Sequence, residues 1–238
     1  MEKNFISIRQ LSETDIKSIF NLTDELKKDK DKFKDSLKGK TIALIFEKPS
    51  NRTRVSFEVG MHQLGGHSIY LGPDEISLGV REVIKDVAKT LSRYVQGIVL
   101  RTFSHENILE MAKYADIPVI NGLTDLLHPC QALADLYTVK ERFGRLKGIN
   151  LSFIGDGNNV CHSLLHGAAI TGMNLTVITP KNYEPSEDIV DEAISLAKKS
   201  GAKIAILNDP KIALNEADII YTDVWASMGQ EKEAGQRK

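Results

Sequence analysis

Short apolar runs alternate with helix-period segments twice over in this chain, from about residue 40 to 143 and again from residue 150 onward. That alternation signals parallel sheets covered by crossover helices and leaves few other folds open. Strands are predicted near 41–46, 67–71, 97–101 and 117–121, with helices near 52–64, 82–95, 105–115 and 130–143. A helix near 13–28 precedes them, opened by Ser12 and Asp15 in a capping-box arrangement. Phe143-Gly144-Arg145-Leu146-Lys147-Gly148 breaks the pattern, which restarts at Asn150-Leu151-Ser152-Phe153-Ile154. The second half predicts strands near 150–154, 174–178, 203–207 and 218–221 and helices near 159–171 and 186–199. The expected architecture is therefore α/β, with two doubly wound parallel-sheet domains, residues 1–146 and 147–238, and an active site in the cleft between them.

In 238 residues either domain has length enough to bury a core. The 31 basic and 32 acidic residues nearly cancel, and no basic stripe interleaved with aromatics argues for nucleic acid. No apolar run approaches the ~20 residues of a membrane span, and the N-terminus lacks the apolar core of a signal peptide. A cytoplasmic protein without nucleic-acid or membrane partners is the expectation. Two cysteines, Cys130 and Cys161, give no disulfide framework.

In such sheets ligands sit beyond the carboxyl ends of the strands, and here the polar residues gather there. After the first strand comes Ser50-Asn51-Arg52-Thr53-Arg54, at a strand-to-helix turn where unpaired amides and the helix dipole favour an anion. Two arginines and two hydroxyls add forked, charged donors matched to phosphate oxygens. An ordinary capped helix with solvated arginines is the alternative. After the third strand stands Arg101, and after the fourth His128-Pro129-Cys130-Gln131. In the usual sheet order these ends are neighbours, so guanidinium, imidazole and amide donors would converge as acyl transfer from an acyl phosphate requires. The second half offers Gly155-Asp156-Gly157-Asn158-Asn159 and Asp223-Val224-Trp225-Ala226-Ser227-Met228-Gly229. The first of these lacks the third glycine of a dinucleotide fingerprint, and Thr179-Pro180-Lys181 stands where an acidic residue would close the next strand. Cys130, Cys161, His162 and His166 match no standard zinc spacing.

Together these segments resemble the aspartate/ornithine carbamoyltransferase superfamily from about residue 5 to the end of the chain. Phe46 through Arg54 resembles its carbamoyl-phosphate signature, with Asn51 where Thr is usual; His128-Pro129-Cys130-Gln131 and the loop from Asp223 to Gly229 resemble the ornithine enzymes. The resemblance implies that Ser50, Asn51, Arg52 and Thr53 hold the phosphate of carbamoyl phosphate. It likewise implies that Arg101 bridges phosphate and carbonyl oxygen, and that His128 and Gln131 hold the carbamoyl end, Arg101 and His128 being the catalytic pair. It places L-ornithine on Asn159, Asp223, Ser227 and the Met228 backbone, whereupon its neutral δ-amine attacks to give citrulline and phosphate. No cofactor or metal is implied, and the partners are the two substrates and further copies of the chain in a homotrimer or a multiple of trimers. Arg54, two residues past Arg52 on the helix, points elsewhere, and Ser77 occupies a position where many relatives carry Gln or His. The family continues for roughly another 70 residues beyond the position of Lys238, so the second domain is expected to lack its C-terminal part. A carbamoyltransferase for a related amine, and a truncated carbamoyl-phosphate binder without catalysis, are the alternatives.

Overall fold

A computed structural model describes residues 3–209 and 216–223. The chain divides into two compact units, Met1–Cys130 and Gln131–Lys238.

In the first unit, helix α1 (Glu13–Lys28) begins at the reciprocal cap read from the sequence: Ser12 Oγ accepts from the Asp15 amide and Asp15 returns the bond to the Ser12 amide. The sheet comprises β1 (Thr41–Phe46), β2 (His67–Leu71), β3 (Gly97–Arg101) and β4 (Val119–Leu123), all parallel, in the order β2-β1-β3-β4. Helices α2 (Arg52–Gln63), α3 (Pro73–Ile76), α4 (Ile84–Leu91) and α5 (His105–Tyr114) connect them, and α6 (Pro129–Phe143) follows β4. Every residue of β3 is buried, as a strand flanked by neighbours and covered on both faces must be. Ala43, Ile45, Ile98 and Leu100 face one layer of the core, which Val87, Ile108 and Met111 complete; Leu44, Phe46 and Val99 form the other.

Two elements depart from expectation. The strand predicted at 117–121 runs instead over Val119–Leu123. Pro118 has no amide to give the ladder, although its carbonyl accepts from Ile98 at 2.9 Å, and pairing extends forward to Leu123 opposite Arg101. The helix predicted at 82–95 is confined to Ile84–Leu91. Before it, Ser77 holds a left-handed φ of 43° and the Gly79 amide bonds the Glu82 carbonyl at 2.9 Å, closing a loop; after it, Tyr94 and Val95 turn back onto the Leu91 carbonyl.

The second unit repeats the scheme with β5 (Asn150–Ile154), α7 (Asn159–Thr171), β6 (Asn174–Ile178), α8 (Glu187–Ser200), β7 (Ile204–Leu207) and β8 (Ile219–Thr222). Its described strands are parallel in the order β7-β6-β5-β8. Helix α7 is buried along nearly its whole length and packs against α8. Each α/β unit thus carries the doubly wound parallel sheet that the sequence predicts, and in each the order sets two non-consecutive strand ends side by side.

Candidate active site

Beside one another in the first sheet lie β1, β3 and β4, so the segments leaving them are neighbours. The Glu47 amide, just past β1, donates to the Arg101 carbonyl at 2.8 Å, and the Thr102 amide donates to the Leu123 carbonyl at 3.0 Å. Between Leu100 and Arg101 the register with β4 slips: Leu100 faces Asn121, but Arg101 faces Leu123. Such a slip re-aims the side chain that follows it. Gly122 fills the skipped position, where a Cβ would come within 3.2 Å of Val99 and 3.3 Å of the Leu100 carbonyl. The glycine lets two backbones approach at the point where Arg101 leaves the strand.

Arg101 is only 6% exposed, and its Nε has no hydrogen-bond partner. Burial, and secondarily the Arg52 guanidinium, push its pKa down, though a guanidinium stays charged at any physiological pH. His128 lies against the same group; burial first and Arg101 second push the imidazole down to about 4. It is therefore neutral at pH 7 and offers one N–H donor and one acceptor. A buried guanidinium with an unmatched nitrogen, next to the second, exposed guanidinium of Arg52, defines a place for an anion.

At the α2 N-terminus, Ser50 Oγ accepts from the Thr53 amide at 3.3 Å, whereas the Asn51 side chain makes no capping bond. Arg52 is exposed and Thr53 half-buried. Arg54 turns away, as its place on the helix implies: its Nε donates to Glu58 at 2.9 Å and its guanidinium sits 3.7 Å above the Tyr70 ring. Sequence reasoning missed the groups that support this corner. Lys48 is buried, pairs with Asp125 and lies 4.4 Å over the Phe103 ring. Glu47 accepts from the Thr102 hydroxyl, which also receives Asn107 Nδ2 at 3.1 Å. The Glu47 carboxylate is thus already engaged by neutral donors. Their place directly after β1 and β3 was the available signal. Cys130 Sγ contacts the Asn121 carbonyl at 3.4 Å, and burial pushes its thiol up to about 12, so it is an inert packing group.

The second unit carries the other predicted residues. Gln131, in the first turn of α6, donates Nε2 to Asp135 Oδ1 at 3.0 Å, and the Tyr221 hydroxyl donates to Asp135 Oδ2 at 3.1 Å. Asp223 follows β8 and accepts from Asn158 Nδ2 at 2.8 Å. Asn158 is also the N-cap of α7, its Oδ1 receiving the Val160 and Cys161 amides at 3.0 and 3.1 Å. Asn159 begins the helix, and its carbonyl accepts from Ser163 at 2.9 Å. Burial, opposed by the bonds from Gln131 and Tyr221 and reinforced by Asp223, raises the Asp135 pKa. The glycine of Gly155-Asp156-Gly157 that suggested a nucleotide loop has a structural cause: a Cβ on Gly157 would fall 2.0 Å from the Pro185 nitrogen. Ser227 and Met228 lie outside the described residues. Asp135, Tyr221 and Asn158 were not singled out from sequence; the only hint of Asp135 was its place one helical turn after Gln131.

Two family models match in succession: the aspartate/ornithine carbamoyltransferase carbamoyl-P binding domain over residues 3–141 and the Asp/Orn binding domain of the same family over residues 147–238. The chain belongs to the aspartate/ornithine carbamoyltransferase family. It is 54% identical over 231 residues to an ornithine carbamoyltransferase of Bacillus thuringiensis, a match covering 97% of this chain and 72% of that protein. Among solved structures, the ornithine carbamoyltransferase from Pyrococcus furiosus superposes with a TM-score of 0.94 at 45% identity, over 99% of this chain and 76% of that one. The anabolic ornithine carbamoyltransferase of Campylobacter jejuni gives 0.93 at 40% identity, over 99% and 77%. Across this family match, the cationic strand ends fall within the carbamoyl-P binding domain and Asp223 within the Asp/Orn binding domain.

Proposed function

We propose that this protein transfers the carbamoyl group of carbamoyl phosphate to the δ-amine of L-ornithine, giving L-citrulline and phosphate. The observation that carries the reading is the buried, unmatched Arg101 Nε beside Arg52 and a neutral His128, in a chain of this family. A dianionic acyl phosphate answers that imbalance of charge, and its carbonyl answers the imidazole N–H.

In this reading Ser50, Asn51, Arg52 and Thr53 hold the phosphate through backbone amides, hydroxyls and one guanidinium. Arg101 spans phosphate and carbonyl oxygen, His128 donates to the same oxygen, and Gln131 takes the carbamoyl amino group. Ornithine enters with its carboxylate toward Asn159 and its α-ammonium toward Asp223, helped by Ser227 and the Met228 backbone. Its δ-amine, uncharged when it reacts, attacks the carbonyl carbon. The carbonyl π electrons move onto oxygen, where Arg101 and His128 stabilise the charge. The oxyanion then collapses, the carbon–oxygen bond to phosphate breaks, and the amine's surplus proton leaves with the phosphate. His128, with a pKa near 4, works as a hydrogen-bond donor and not as a proton source at neutral pH. Charge moves but no electrons are exchanged with an outside acceptor, so the step balances without a cofactor.

The resemblance to family members further supports a homotrimer or a multiple of trimers, a cytoplasmic place in arginine metabolism, and a division of labour at residues 146/147. Among the described residues no helix is long and apolar enough to cross a membrane. Citrulline formation from carbamoyl phosphate and L-ornithine, compared with putrescine and N-acetylornithine as acceptors, tests the reaction; sedimentation tests the assembly. Turnover with L-ornithine above the other acceptors is expected, because Asp223 suits a free α-ammonium. Absence of a carbamoylated product with every acceptor would leave a binding protein.

A further inference from the structure

Both carboxylate oxygens of Asp135 are engaged. One takes Gln131 Nε2, four residues earlier on α6; the other takes the hydroxyl of Tyr221 on β8. The tyrosine cannot swing freely, since its ring stacks on the fully buried Phe153 at a centroid distance of 5.6 Å and an interplanar angle of 19°. The carboxylate is thereby held at a fixed point beside the glutamine.

A glutamine amide has two nearly isosteric faces, one donating and one accepting, and free rotation would present either. An ionised carboxylate accepts only. Turning the amide around would set Gln131 Oε1 against Asp135 Oδ1, two acceptors at 3.0 Å, and forfeit a charge-assisted hydrogen bond. Nε2 is therefore committed to Asp135, and Oε1 is the atom left on the opposite side of the amide.

Resting on the carbamoyl-transfer reading above, we propose that Asp135 is a positioning residue that fixes the Gln131 amide with its oxygen toward the donor substrate, so that the site selects an acyl phosphate bearing an amino group over one bearing a methyl group. Carbamoyl phosphate and acetyl phosphate share the phosphate, the carbonyl and nearly the same volume. They differ in whether the third substituent can donate to an acceptor. A site built to hydrogen-bond an N–H discriminates strongly against the analogue lacking it, because the buried acceptor is then left unmatched. A rotatable glutamine would relax that penalty.

The test is titration calorimetry of carbamoyl phosphate and acetyl phosphate against the wild-type protein, Asp135→Asn and Tyr221→Phe. In Asp135→Asn either amide face of Gln131 can find a partner. Carbamoyl phosphate should weaken ~10-fold while acetyl phosphate changes less than ~2-fold, collapsing the preference about tenfold. Tyr221→Phe keeps the Gln131–Asp135 bond but frees the other carboxylate oxygen, so the preference should fall by less than in Asp135→Asn; a loss as large as that of Asp135→Asn overturns the assignment to the Gln131–Asp135 bond. Equal weakening of both ligands in Asp135→Asn, as a merely structural role would give, overturns the proposal. Should Asp135→Asn fail to fold, 15N-glutamine labelling of the wild type decides instead, with the resonance assigned by its loss in Gln131→Met. A Gln131 side-chain amide pair shifted and protected before ligand is added supports the proposal, and a pair with the averaged shifts of a free amide overturns it. Wild-type protein that binds neither phosphate defeats the carbamoyl-transfer reading itself; binding with a preference unmoved by Asp135→Asn defeats only the role of Asp135.

Discussion

At the carboxyl end of the first sheet the ionisable groups that matter are Arg101, Arg52 and His128; at the corresponding end of the second they are Asp223, Asp135 and Tyr221. Both ends arise in the same way, from a parallel sheet whose strand order places non-consecutive loops together. In the first, guanidinium meets guanidinium and the neighbouring imidazole is kept neutral. In the second, carboxylate meets carboxylate: the Gln131 amide and the Tyr221 phenol donate to Asp135, and the Asn158 amide donates to Asp223. One fold therefore prepares one place for an anion and another for a cation, and what differs is only the side chains set on equivalent loops. In the proposed reaction the acyl phosphate draws on the first and the ammonium of the amino acid on the second.

The contrast can be broken most severely at its cationic end. Arg101→Ala should lower kcat for citrulline formation by about 10²–10³, since it removes a donor aimed at the developing oxyanion. Arg52→Ala should act one step earlier, weakening carbamoyl phosphate binding ~10²-fold by calorimetry with a smaller effect on the ornithine KM. At the acidic end Asp223→Ala should raise the ornithine KM by ~10- to 100-fold and leave carbamoyl phosphate affinity nearly unchanged. Equal effects of Arg52→Ala and Asp223→Ala on both ligands would mean the two ends are not specialised.

The state of His128 sharpens the comparison through pH. Its folded pKa of about 4 lies below the ordinary 6.5, so its neutral burial stabilises the fold above about pH 6.5 and that stabilisation is lost as pH falls toward 4. Urea unfolding should show a loss of about 2 kcal/mol from pH 7 to 5 that His128→Asn largely abolishes. His105, also pushed down by burial, contributes a slope in the same direction that remains in the variant. The smallest effect on ligand handling belongs to Gly122→Ala. The added methyl meets Val99 and the Leu100 carbonyl, so stability should fall by about 1–3 kcal/mol with a several-fold loss of kcat as the Arg101 strand end shifts.

Much of this was legible beforehand because parallel sheets write themselves plainly: β1 and β3 are mostly apolar runs, and the cap at Ser12 obeys a local rule. The loop residues Arg52, Arg101 and His128 were readable for a related reason, since strand order brings their loops together whatever the helices do. What escaped notice depended on tertiary contact. Asp135 sits on an ordinary amphipathic helix, and its meaning comes from Tyr221, 86 residues away. Asn158 and Asn159 are chemically identical neighbours; only the cap geometry of α7 decides which of them reaches Asp223. The extension of β4 to Leu123 likewise goes with a register slip against β3 that no local pattern encodes.

Asn158 has a consequence for measurement. Its two side-chain atoms connect the first amides of a buried helix to Asp223, the carboxylate proposed above to receive the ornithine ammonium. Whatever neutralises Asp223 must therefore alter the grip on Val160 and Cys161, so exchange of those two amide protons in deuterated water becomes a gauge of amino-acid occupancy, readable in a protein that never completes a turnover.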